Sequence, residues 1–98
     1  MDKVAIARLH AALCTKHKCE ARWLKTVHVR ETRDGAAIWD GDVEVFDVAL
    51  PNARRAYAWS HEIEGSDARV HIVLGAAPIV SPADAVRAVL HDEDRLPH

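Results

Sequence analysis

Between Ala36 and Ile63, apolar and polar positions alternate with a period of two through Ile38-Trp39, Val43-Glu44-Val45-Phe46-Asp47-Val48 and Tyr57-Ala58-Trp59-Ser60-His61. That alternation predicts two long strands whose faces are used differently, turned at Leu50-Pro51-Asn52 with Pro51 suited to the second turn position. The stretch holds two of the three Trp, the only Phe and the only Tyr, so the remaining elements are expected to cover or extend it. Upstream, Ile6, Leu9 and Leu13, with Ala5 and Ala12 beside them, follow helical spacing. Asp2 can cap that helix, and Lys16, His17 and Lys18 favour its carbonyl end, which predicts a helix over Lys3 to Lys18. Trp23 to Thr32 sets Val27 and Val29 against Thr26, His28 and Arg30 and predicts a first strand. Arg33-Asp34-Gly35 suits a three-residue hairpin loop closed by Gly35 in the left-handed region. This loop places Thr32 opposite Ala36, Arg30 opposite Ile38, Val29 opposite Trp39 and His28 opposite Asp40.

A third strand is expected from Arg54 or Arg55 to Ile63, then a turn at Glu64-Gly65-Ser66-Asp67 and a fourth strand from Arg69 to Leu74. Ser81-Pro82-Ala83-Asp84 carries an N-cap serine, a proline at the first helical position and an acid in the first turn, so a second helix starts there. Its stripe is Val86, Val89 and Leu90. Asp92-Glu93-Asp94 at the negative end of the dipole predicts fraying near His91 and a loose tail from about residue 93. The order α-β-β-β-β-α with short connections predicts a single α+β domain over 1–98, a four-stranded antiparallel meander sheet with both helices packed on one face.

Parity then decides what is buried. Ala37, Trp39, Gly41, Val43 and Val45 share an uncharged side of the second strand and are assigned to the core, as are Val70, Ile72 and Leu74 of the fourth. A two-residue loop at Pro51-Asn52 pairs Phe46 with Tyr57, Glu44 with Trp59 and Asp42 with His61. Phe46, Tyr57 and Trp59 then form an apolar patch on an open face, and such patches mark association. A loop longer by one residue makes Tyr57 and Trp59 core instead. The patch points to a non-enzymatic binding or interaction module, a homodimer, homo-oligomer or protein partner joined through the sheet.

Composition narrows the alternatives. Thirteen basic and fifteen acidic residues among 98 give a net charge of −2, so no global basic field draws the chain to nucleic acid or an anionic membrane. The nearly uncharged run from Ile72 to Ala83 is too short to span a bilayer, and no secretory pattern opens the chain, so a cytoplasmic protein with Cys14 and Cys19 as thiols is expected. On the expected open face His28, Asp40, Asp42, His61 and His71 gather, with the turn near Ser66 setting His61 opposite His71. Imidazoles and carboxylates ligate zinc or another divalent metal, so the alternative is a metal site or a small metal-dependent hydrolase. His10, Cys14 and His17 share a sector of the first helix, followed by Cys19, but His10 and His17 stand about 10 Å apart along the axis. The basic residues Lys16, Lys18 and Arg22 there are expected to lower a nearby thiol pKa. No Gly-rich phosphate loop, G-x-S-x-G, HExxH or CxxC is present, and no catalytic residue is assigned.

Lys16, Lys18, Arg22 and Lys25, with Arg54-Arg55, form the basic clusters. Helix, sheet and helix in this order resemble the double-stranded RNA-binding domain, α-β-β-β-α, in element order only. This chain has an extra strand and opens its second helix without basic residues, so nucleic-acid binding ranks third. The strings Trp39 to Asp47, Arg54 to His61 and Ser81 to Ala88 resemble those of a family of small uncharacterised bacterial proteins over most of the chain from Cys19 onward. The resemblance implies a bacterial cytoplasmic protein and carries no activity or site residue with it.

Overall fold

The chain runs through helix α1 (Lys3–His17), strands β1 (Ala21–Arg33), β2 (Ala36–Leu50), β3 (Ala53–His61) and β4 (Arg69–Leu74), and helix α2 (Pro82–Arg95). This is a computed structural model describing residues 3–61 and 69–95, with side chains described to Ser60 and again from Val70 to His91. The strands form one antiparallel sheet in the order β1-β2-β3-β4, the α+β meander read from the sequence. The expected Asp2 cap and the turn at Glu64 to Asp67 lie outside the described residues.

The helix boundaries follow local chemistry. α1 stops where Lys18 takes φ 50°, a left-handed value that cannot continue a helix. At α2 the amide of Asp84 donates to Ser81 Oγ at 3.2 Å, and the amide of Val80 donates to Asp84 Oδ2 at 3.2 Å. The serine cap thus satisfies a donor that the helix start leaves open, and the acid three residues on ties the helix to the residue before the cap. α2 continues to Arg95 rather than ending at a tail from about residue 93. Each added residue contributes a backbone hydrogen bond, whereas acids near the carbonyl end cost only about 0.3–1 kcal/mol.

Three irregularities set the register, and each corrects an expected pairing. First, Arg33 pairs with Ala36, so the β1–β2 loop has two residues, with Asp34 at φ 54° and Gly35 at φ 82°. Positive φ at both positions matches the twist of the flanking strands. The extra residue sits in the strand instead, where a bulge at Ile38 carries the pairing from Thr32 with Ala37 to Glu31 with Trp39. His28 therefore meets Asp42, Val29 meets Gly41 and Arg30 meets Asp40. Second, Leu24 bulges from β1 between Trp23, opposite Phe46, and Lys25, opposite Val45. Third, the turn at Pro51-Asn52 has its two residues, with Leu50 opposite Ala53, but the register shifts by one before Asp47 meets Arg55. Phe46 then pairs with Ala56, Val45 with Tyr57 and Glu44 with Ala58.

That single shift reverses the faces of β3. Val43, Val45, Tyr57 and Trp59 join Val29 and, from α2, Ala85 and Val86 in one apolar cluster. Phe46, Val48, Ala56 and Ala58 join Leu9 and Leu13 of α1 in another, with Ile72 and Leu74 packed against it. The helices therefore cover opposite faces, not one, and the sheet is a wall between two cores. β2 carries apolar side chains at both parities from Val43 to Val48, so one covering helix would leave half of them in water. Ala56 and Ala58, both fully buried, let α1 approach the sheet closely.

Candidate functional site

The patch expected from Phe46, Tyr57 and Trp59 is not a surface. Phe46 is 0 % exposed beneath α1, while Tyr57 at 4 % and Trp59 at 2 % lie beneath α2. The bulge before Leu50 divides the three residues between two cores. Burial also pushes the Tyr57 phenol above its ordinary pKa, as an apolar surround disfavours the charged form.

The imidazoles separate in the same way. β4 pairs with β3 so that His71 meets Trp59, two residues from the expected partner, and His61 meets Arg69. His71 lies on the α2 side, stacked on the Trp59 indole at 5.5 Å between centroids and 24° between planes. His28 is on the other face, and the side chain of His61 lies outside those described. Among the described residues no three His, Cys, Asp or Glu side chains are arranged to hold a metal ion.

His28, Asp40 and Asp42 do come together, on the exposed end of the α1 face. His28 Nε2 is 2.8 Å from Asp40 Oδ1 and Nδ1 is 3.0 Å from Asp42 Oδ1, with Arg30 Nε 4.0 Å from Asp40. Two carboxylates on two ring nitrogens suit an imidazolium, which donates from both, better than a neutral ring, which donates from one. The hydrogen bond to Asp42 is the main cause of a His28 pKa above its ordinary 6.5, opposed by desolvation and assisted by the Asp40 charge. As an imidazolium His28 would clamp β1 to β2 through both carboxylates. A pKa raised on folding contributes stability that is complete below the unfolded value and fades as pH rises through the folded one. A nuclear magnetic resonance titration should therefore place His28 above 6.5 and bring it down in Asp42→Asn. A native midpoint at or below 6.5 would contradict the clamp.

One strand position inward, Glu44 is only 8 % exposed. Its Oε1 accepts from Trp23 Nε1 at 3.0 Å and from the Thr26 hydroxyl, which accounts for a carboxylate in the sheet interior. With Asp42, Thr26 and Ser60 it lines a cleft of about 240 Å³ beside Leu9. Sequence parity placed Glu44 among outward residues; Thr26 comes opposite it through the register set at Ile38, and Trp23 joins that face through the bulge at Leu24.

On α1, His10 Nε2 donates to the Ala21 carbonyl at 2.6 Å and lies 3.8 Å from Cys14 Sγ. This ties the helix to the start of β1. Both cysteines are free thiols, and the Cys19 pKa is raised by burial and by Cys14, not lowered by the basic residues around it. Arg22 and Arg55 bracket Asp47 at 3.6 and 2.6 Å, which occupies part of the expected basic cluster within the sheet.

The two sheet edges differ in kind. β1 carries Arg22, Lys25, Arg30 and Arg33 and the Leu24 bulge, devices that discourage strand addition. β4 reads Arg-Val-His-Ile-Val-Leu, pairs with β3 without a bulge and leaves Val70 42 % exposed. Beside it a groove of about 460 Å³ runs between Val70, Ile72 and the Ala11, Ala12, Thr15 and Lys16 side chains of α1. The chain matches no protein-family model, no curated protein and no solved structure. Among the described residues no helix is long and apolar enough to cross a membrane.

Proposed function

We propose that this is a non-enzymatic interaction module that self-associates through its sheet, by antiparallel pairing of β4 with β4 of a second copy. The supporting observation is the contrast between a β1 with four basic residues and a bulge and an unbulged β4, apolar at four of its six positions, whose Val70 is 42 % exposed. An edge strand presents a row of backbone donors and acceptors, and a two-fold axis lets each copy satisfy the other. Pairing of this kind extends the sheet to eight strands. It brings Val70 of each copy against its partner while the small Ala11 and Ala12 side chains let the two α1 helices approach. The two free thiols fit a reducing cytoplasm, in keeping with the resemblance to small bacterial proteins.

Val70→Lys tests this. Burying one valine side chain is worth about 1.5 kcal/mol, so removing two from a symmetric interface should weaken the dimer on the order of a hundredfold. Light scattering after size exclusion should give twice the chain mass for the native protein and the chain mass for Val70→Lys, with similar thermal melts. A native protein that is monomeric at hundreds of micromolar would exclude the pairing.

A further inference from the structure

We propose that a second site, the aromatic pocket beneath α2, binds a small, neutral, planar aromatic molecule of about the size of phenol. The pocket encloses about 140 Å³ between the sheet and the second half of α2. Its sheet side is aromatic. The Trp39 and Trp59 rings meet edge to face at 5.9 Å and 71°, and His71 stacks on Trp59. Its helix side is aliphatic, from Val86, Val89 and Leu90.

Two local devices build this wall. The bulge at Ile38 turns Trp39 onto the α2 face, and Gly41 lets its indole lie flat on the sheet, since a Cβ at position 41 would sit 3.1 Å from Trp39 Cη2. Ile38, left exposed by the same bulge, stands at the mouth. Ile38 and Leu90 also line a wider groove of about 570 Å³ between the hairpin end and α2, which provides a way in from solvent.

The ligand class follows from size, polarity and ring geometry. A cavity of roughly 150 Å³ is enough to accept benzene, and the described lining here is four aliphatic side chains, two indoles and one imidazole. Among the described residues no carboxylate, ammonium or guanidinium group lines this pocket, so a neutral ligand suits the lining better than a charged one. Ring faces and edges already meeting at a steep angle favour a further ring over an aliphatic of equal volume.

The test uses phenol, with cyclohexanol as a matched probe lacking a π face. Phenol should shift the indole N–H resonances of Trp39 and Trp59 saturably and raise the melting temperature, and cyclohexanol should bind several-fold more weakly. Val89→Phe, which fills the pocket, should weaken phenol binding at least tenfold. Val89→Ala, which enlarges it without the risk of overpacking, should bind indole more tightly than the native protein does. Absence of a saturable phenol response in the native protein, equal binding of cyclohexanol, or phenol binding unchanged in Val89→Phe would each overturn the proposal. Because His71 belongs to β4, the phenol titration is repeated on Val70→Lys, where unchanged binding separates this pocket from self-association.

Discussion

Trp59→Ala is expected to lower the unfolding free energy by about 3–5 kcal/mol, the range for removing a buried large aromatic side chain. Trp59 is 2 % exposed, meets Trp39 edge to face and carries His71 on its face, so truncation removes ring contacts to two neighbours and opens a cavity under α2. A domain of this size has a total stability of about 5–15 kcal/mol. The loss should therefore appear as a fall of well over ten degrees in melting temperature and a large shift of the urea midpoint. A variant that melted like the native protein but no longer self-associated would return Trp59 to the surface, where the two-residue-loop register had placed it.

Phe46→Ala should cost a similar amount, about 3–5 kcal/mol, for a separate reason. Phe46 is fully buried beneath α1 with Leu9 and Leu13, on the other side of the backbone wall from Trp59. The separation is testable with milder truncations that leave the fold intact. In double-mutant cycles, Phe46→Leu with Leu13→Val should depart from additivity, because the two residues belong to one cluster, whereas Phe46→Leu with Trp59→Phe should add to within about 0.5 kcal/mol. Strong coupling between positions 46 and 59 would mean one continuous core and would contradict the three-layer arrangement. Urea unfolding of each variant measures it.

How much of this was legible in the sequence depends on which residues carried a local signal. Ser81, Pro82 and Asp84 announced α2 by type and spacing, and the cap they predict is the one that forms. Leu9 and Leu13 marked the buried stripe of α1, and the alternation around Val43 to Trp59 marked strands. Register was not legible in the same way. The bulges at Leu24, at Ile38 and before Leu50 each add one residue, leave no composition signature and invert parity for everything beyond them.

The candidate sites inherited that weakness. His28, Asp40 and Asp42 were brought together in both registers because all three sit on one strand pair, whereas His71 and the aromatic patch depended on two further turns. One signal was available and pointed to the outcome. Val43, Val45, Phe46 and Val48 place apolar side chains on both parities of a single strand, the pattern of a strand covered from both sides. It argued for a helix on each face.

The order of elements along the chain adds a kinetic consequence. α1 is synthesised before any strand, so the side of the sheet that holds Phe46 and Val48 can be shielded as soon as β2 and β3 emerge. The side that holds Tyr57 and Trp59 has no cover until Pro82 to Arg95 has been made. A nascent chain that has completed its meander therefore presents two indoles to whatever surrounds it, and this interval is when it is most exposed to misassociation.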